Sequence, residues 1–429
     1  MKESRKHNHW VKKSDQEIKS QIFNALNENI NYQSQHILGI PASYLDNKVF
    51  NQDATFLKDA PFISTLVQNP NHIGCHTLGK SESFFSGTQQ IEKEIIDICA
   101  RDILACSEND YDGYIASGGT ESNIQAIWIY RNFFRESQSA KDHEICILCT
   151  EDSHYSMDKA ANLLNIDIIK VPVDFDKRSF SSDKVLKIIS KATKNKKKYI
   201  IAVANMMTTM YGSVDDVDQL TNALIKSNCH FKLHIDAAYG GFYYPFSSND
   251  SSLTFKNKHI TSFTLDAHKM AQAPYGTGIF IIRKGLIQNA NTKEATYVEG
   301  EDYTLIGSRS GANAVAVWMI LSKNGPHGWH EKSFILQKRT QWLCNQLDEL
   351  DIKFYRHPAS NIVAIHSNFI FPKIAKQFGL VPDNHLQPNW FKVIIMEHVT
   401  IEKLELLVNE VKISLLHESN HLSDNKVIS

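Results

Sequence analysis

The chain of 429 residues carries 46 Lys and Arg against 47 Asp and Glu, a net charge of -1, with 42% hydrophobic residues. Such a length supports one large domain, a smaller second one and a core ample enough to enclose a cofactor. The even charge balance leaves no electrostatic footprint for nucleic acid or an anionic membrane surface.

Residues 1 to about 15 are polar and read as a frayed end, His7 and His9 included. They hold no apolar core for a signal peptide, and no later run is long enough to span a bilayer, so a cytoplasmic enzyme is expected. Apolar strand-like runs then alternate with amphipathic stretches from about residue 60 to 290, the pattern of an α/β fold with a mainly parallel sheet. A helix is predicted over Gln89–Leu104, where Ile91, Ile95, Ile98 and Leu104 gather toward one side. The strand-like YDGYIA follows, and then SGGTESN, Ser117 to Asn123, opens a second helix over Glu121 to about Arg135. Glycines before a helix let the backbone approach a phosphate, and free N–H groups there attract it, which singles out Gly119 and Thr120.

A strand is predicted at Ile145–Cys149. It contains the one CxxC spacing among seven Cys, but residues three apart on a strand face opposite ways, so Cys146 and Cys149 should share neither a metal nor a disulfide. His154 follows that strand, where an imidazole can lie flat on a pyridine ring. The basic run near residues 191–199 reads as a solvated helix end before the strand Tyr199–Ala204. Next come Phe231–Ile235 and HIDAAYGG, in which Asp236 is a carboxylate too costly to bury unless paired; a protonated pyridine nitrogen is one such partner. Ala238, two residues on, points the same way along an extended chain. In TLDAHKMAQAPYGTG, Lys269 follows His268 and lies in an apolar stretch that suits Schiff-base chemistry. A strand at Gly278–Ile282 closes this region. Beyond about residue 310 the sequence predicts a long helix through about Leu347, strands at Asn361–His366 and Phe391–Met396, and a helix opening at Thr400, an N-cap residue. In open α/β sheets ligands gather beyond the carboxyl ends of the strands, where these loop motifs fall.

Taken in order, SGGTESN, SHYSMDKAA, TTMYGSVDD, HIDAAYGG, DAHKM and LIGSRSG resemble the group II decarboxylases that depend on pyridoxal phosphate (PLP), in the branch holding histidine, serine and tyrosine/aspartate decarboxylases. The resemblance covers roughly residues 60 to 415. It implies the fold-type I architecture: a large domain (61–310) with a seven-stranded, mainly parallel sheet, a smaller C-terminal α/β domain (311–417) and a helical, dimer-packing N-terminal segment (1–60); by composition alone the polar residues 418–429 read as a disordered tail. It further implies that Lys269 carries PLP as a Schiff base, that His154 stacks on the ring, that Asp236 pairs with its nitrogen and that Ala238 covers the opposite face. Gly119, Thr120 and His268 are expected near the phosphate and Thr209 close to the ring. Tyr297 is the expected proton donor, with Tyr303 as its rival, and Gly307 to Gly311 are expected near the partner's site in a homodimer. Family members often have Gly-Thr-Thr where this chain reads Met207-Thr208-Thr209, and archaeal relatives carry an Arg near Lys392. His72 and His76 are expected at the substrate entrance, where they could serve an acidic side chain. An amino-acid substrate is expected, with aspartate giving β-alanine as first choice and glutamate, histidine and tyrosine open. A PLP carbon-carbon lyase and a non-catalytic PLP-binding protein are the competing readings.

Overall fold

Helix α1 (Asp15–Glu28) starts where Ser14 and Glu17 form a reciprocal capping box, and it buries Ile18, Ile22, Ala25 and Leu26 along one stripe. The computed structural model describes residues 9–32, 34, 36–40, 44–73, 78–79, 83–290 and 299–424, with side chains through 417. Beyond α1 the chain runs through α2 (Pro61–Gln68), the short strand β1 (Asn71–Ile73) and α3 (Ser86–Asp97), whose last turns widen into a π-helical stretch to Ile103. Next come β2 (Tyr111–Ala116), α4 (Gly119–Gln138), β3 (Ile145–Thr150), α5 (Ser156–Leu164), β4 (Asp167–Val171), α6 (Ser182–Lys194), β5 (Tyr199–Asn205) and α7 (Val217–Lys226). The large sheet is completed by β6 (His230–Ala237), β7 (Ile260–Asp266) and β8 (Gly278–Arg283), with the one-turn helix α8 (Tyr244–Ser247) between β6 and β7.

These strands form a seven-stranded sheet in the order β2-β8-β7-β6-β5-β3-β4. Only β8 runs against its neighbours, so the sheet is parallel apart from that one strand. Alternation along each strand feeds two cores. Ile200, Ala202 and Ala204 of β5 join α3, α6 and α7 on one face, while Ile201 and Val203 meet α4 and α5 on the other. Cys146 and Cys149 fall into different cores, and both are free thiols. The basic run ends α6 at Lys194 just ahead of β5, but Lys197 within it is buried rather than solvated, its Nζ donating to the His143 carbonyl at 2.7 Å.

Strand β9 (Ser308–Ser310) pairs with β1 and leads into α9 (Gly311–Glu349). The long helix breaks at Gly325, which takes φ 63° just ahead of Pro326. A Cβ there would come within 2.6 Å of Lys12 Cβ, so glycine is required both by its dihedral and by the crossing N-terminal segment. The chain then adds β10 (Phe354–Tyr355), β11 (Ile362–His366), α10 (Pro372–Gln377), β12 (Val381–Pro382), β13 (Trp390–Ile394) and α11 (Ile401–Asp424). The small sheet has the order β10-β11-β13-β12 and is antiparallel throughout. Helix α11 continues past residue 418, where the sequence reading placed the start of a tail. No helix among the described residues is long and apolar enough to cross a membrane.

Candidate active site

The chemistry-bearing motifs converge at the carboxyl ends of β3, β6 and β7, beside the first turn of α4. Asp266 ends β7, and the next turn brings Lys269 Nζ to 3.7 Å from its Oδ2 and His268 Nδ1 to 2.7 Å from its Oδ1. That His268 contact lacks hydrogen-bond geometry, so both of these buried atoms are left without a hydrogen-bond partner. Asp266 Oδ2 also accepts the Gly119 backbone N–H at 3.2 Å. The carboxylate therefore stands at the positive end of α4. A Cβ on Gly119 would lie 3.0 Å from Asp266 Oδ2 and 3.1 Å from Ala238 Cβ, so the turn brings bare backbone up to Ala238. Lys269 keeps 27% of its side chain exposed.

Asp236 is buried at the end of β6, where its Oδ1 accepts the Ala238 N–H at 3.1 Å and its Oδ2 accepts Asn123 Nδ2 at 3.0 Å. Asn123 Nδ2 also donates to Ser156 Oγ at 2.9 Å, and Ser156 Oγ lies 2.9 Å from His154 Nδ1. One amide thus ties Asp236 to His154. Burial pulls the His154 pKa down, with Asp236 opposing and Lys269 reinforcing the shift.

Thr209 is exposed, and its carbonyl accepts Lys392 Nζ at 2.9 Å. Its neighbour Thr208 is the buried one, 2.7 Å from Ser213 Oγ. Lys392 has its pKa lowered by burial and then by the charge of Lys269, which brings the small domain into the site. Met207 adopts φ 70°, the left-handed region that glycine enters freely, so the chain follows a glycine path with a buried Met at a strain of about 1–2 kcal/mol.

His72 corrects the expectation of an entrance residue. It is 1% exposed, with Nδ1 2.5 Å from Glu92 Oε2 and Nε2 2.9 Å from Thr88 Oγ1. Both ring nitrogens are spent on the protein itself. Glu92 is held in turn by Arg309 of the GSRSG segment at 2.5 Å and by the Ile115 N–H at 2.7 Å. That segment therefore serves a buried ion cluster within this chain. His76 and Tyr297 fall outside the described residues. Tyr303 packs in the α4 core with its hydroxyl held by Glu301, and burial pushes its pKa up.

The sequence reading missed Asn123, Ser156 and His234. A signal for two of them existed: His234 lies two residues before Asp236 and shares its face, and Asn123 lies on the same side of α4 as the buried Ile127 and Tyr130.

The family model described as the pyridoxal-dependent decarboxylase conserved domain matches residues 71–352. Tryptophan decarboxylase of Clostridium sporogenes is 48% identical over 94% of this chain and 97% of that protein. A probable L-tyrosine/L-aspartate decarboxylase of Methanothermobacter thermautotrophicus is 31% identical over 76% of this chain and 88% of that protein. Among solved structures, L-methionine decarboxylase from Streptomyces sp. 590 superposes with a TM-score of 0.70 at 17% identity, covering 92% of this chain and 93% of that one. The sphingosine-1-phosphate lyase of Burkholderia pseudomallei superposes with a TM-score of 0.67 at 18% identity, over 80% of this chain and 81% of that one.

Proposed function

The chain belongs to the pyridoxal-dependent decarboxylases, and from that premise we propose that it removes CO2 from an aromatic L-amino acid, L-tryptophan before others, leaving the primary amine. It is a PLP-dependent amino-acid decarboxylase of fold-type I; the choice of substrate is the step beyond. Tryptophan rests on the 48% identity, along nearly the whole chain, to a decarboxylase bearing that substrate's name. For aspartate, the first choice from sequence, His72 was one of two histidines that could serve the acidic side chain, and it is committed to Glu92 and Thr88.

The residues present fit the cofactor. A buried carboxylate that no cationic side chain pairs with among the described residues, a backbone turn without a Cβ, and the unmatched His268 Nδ1 suit a ring nitrogen and a phosphate. When bound, PLP supplies an electron sink for the pair that departing CO2 leaves behind. In this reading Lys269 would hold the cofactor covalently. Asp236 would keep the ring nitrogen protonated, and His154 and Ala238 would hold the ring between them. Gly119, Thr120 and His268 serve the phosphate, while Thr209 positions Lys392 through its carbonyl. Lys392 is assigned to the substrate carboxylate, supported by its partial burial and by its sensitivity to the Lys269 charge. Tyr297 keeps the role of proton donor, since the rival Tyr303 has its hydroxyl bound to Glu301. A homodimer is proposed as well. The exposed Phe50, Phe56, Ile63 and Leu66 near the N-terminus and Leu305 and Ile306 before β9 are apolar surface that a second copy can cover.

A panel of L-amino acids scored for CO2 and amine decides the substrate. Tryptamine from tryptophan, with β-alanine from aspartate absent or far slower, is the expected result; preference for aspartate overturns it.

A further inference from the structure

Helix α4 crosses the sheet over a row of buried polar side chains on β6 and β7. His234 and Asp236 alternate onto the face of β6 that meets α4, and Ser262 and Thr264 do the same on β7. The β6–β7 register slips between Leu233 and His234, so that His234 pairs with Ser262 and Asp236 with Thr264. A bulge of this kind re-aims side chains. Here it sets Ser262 Oγ 2.6 Å from His234 Nδ1 and 2.5 Å from the Tyr130 hydroxyl. From the other side, Asn123 Oδ1 lies 2.9 Å from His234 Nε2. Asn123, Tyr130, His234 and Ser262 are all at most 1% exposed.

Donor and acceptor counting assigns the protons. Asn123 gives its two amide hydrogens to Asp236 Oδ2 and Ser156 Oγ. Its Oδ1 must therefore accept, which requires a hydrogen on His234 Nε2, with Thr264 Oγ1 as a second neighbour at 3.2 Å. Burial lowers the His234 pKa to about 4 against the pull of Asp236, so the ring is neutral near pH 7 and Nδ1 accepts from Ser262. Ser262 in turn accepts from Tyr130. At the far end, His154 Nδ1 accepts the Ser156 backbone N–H at 3.2 Å, so Ser156 Oγ, which accepts from Asn123, turns its one hydrogen to the same nitrogen at 2.9 Å. The proton of His154 is thereby left on Nε2. Asp236 and Asp266 against Lys269 and Lys159 are the charges around that ring, and with its burial they leave it readily neutral.

We propose that Tyr130, Ser262, His234 and Asn123 form a one-way hydrogen-bond chain that locks His154 as its Nε2–H tautomer and presents an N–H to Asp236. His234 is then a positioning residue for both groups that flank the cofactor ring. This rests on the roles given above to His154 and Asp236, but its readout is taken on cofactor-free protein.

The test is 15N-histidine NMR of the cofactor-free full chain, with the His154 signals identified as those missing from His154→Gln. The expected wild-type pattern is an unprotonated Nδ1 and a protonated Nε2. His234→Leu should shift the tautomer ratio by roughly tenfold, the worth of one buried hydrogen bond. His234→Gln, whose amide can both donate to Asn123 and accept from Ser262, should restore it. Asn123→Ala cuts the same link and serves if His234→Leu does not fold. A wild-type His154 protonated at Nδ1, or an unchanged tautomer in the folded variants, overturns the chain. Failure of the cofactor assignment would instead appear as a missing PLP band that Lys269 does not control.

Discussion

Glu92 and Asp236 are both buried carboxylates held by residues far apart in sequence, yet they do opposite work. Glu92 takes His72, Arg309 and the Ile115 N–H, and these partners hold its pKa down to about 2 against its burial. It clamps β1 and β9 to α3 and β2. Asp236 takes only the Asn123 amide and the Ala238 N–H, and no cationic side chain pairs with it among the described residues. Close by, Asp266 Oδ1 and His268 Nδ1 find no hydrogen-bond partner. Burial and charge do not separate a site from a staple; unused bonding capacity beside a reactive lysine does.

Four changes break or sharpen this contrast. Lys269→Ala should lower CO2 release at least about 10³-fold while leaving the unfolding midpoint nearly unchanged. Glu92→Gln should do the reverse, costing about 3–5 kcal/mol in denaturant unfolding because Arg309 loses its buried partner, with activity per folded molecule preserved. A staple that proved essential for turnover at full stability would undo the comparison.

Acid should dissect the two regions in turn. The His234 pKa is lowered from 6.5 to about 4, so the unfolded chain binds the proton first; the stability linked to this group is complete above pH 6.5 and lost as pH falls toward 4. Glu92 is lowered from 4.5 to about 2, and its contribution disappears between those values. Each loss is on the order of 3 kcal/mol. His234→Gln should flatten the first fall and Glu92→Gln the second in unfolding measured across pH. The smallest effect is expected from Lys392→Met, a rise of about tenfold in KM with a lesser change in kcat, as for loss of one charge-assisted contact to substrate.

How far the sequence revealed all this depended on where partners lie. Ile145–Cys149, Tyr199–Ala204 and Gly278–Ile282 were legible as strands because continuous apolar runs mark strands buried on both faces. The β7 run ITSFTLD was not, since Thr261, Ser262 and Thr264 interrupt it; they are buried because Tyr130, Leu233 and His234 meet their hydroxyls. Lys269, Asp236 and His154 stood out through motifs in order. His72 was misjudged because its fate is set by Glu92 and by an arginine brought back from residue 309, and no local pattern announces that return. Asn123 looked like an ordinary helix residue until β6 supplied His234 and Asp236 beneath it.

The most direct test is to reduce the purified, PLP-loaded protein with borohydride and map the modified peptide by mass spectrometry. The cofactor mass should appear on Lys269 and nowhere else; a label on another lysine, or none at all, would contradict the placement of the chemistry at this site.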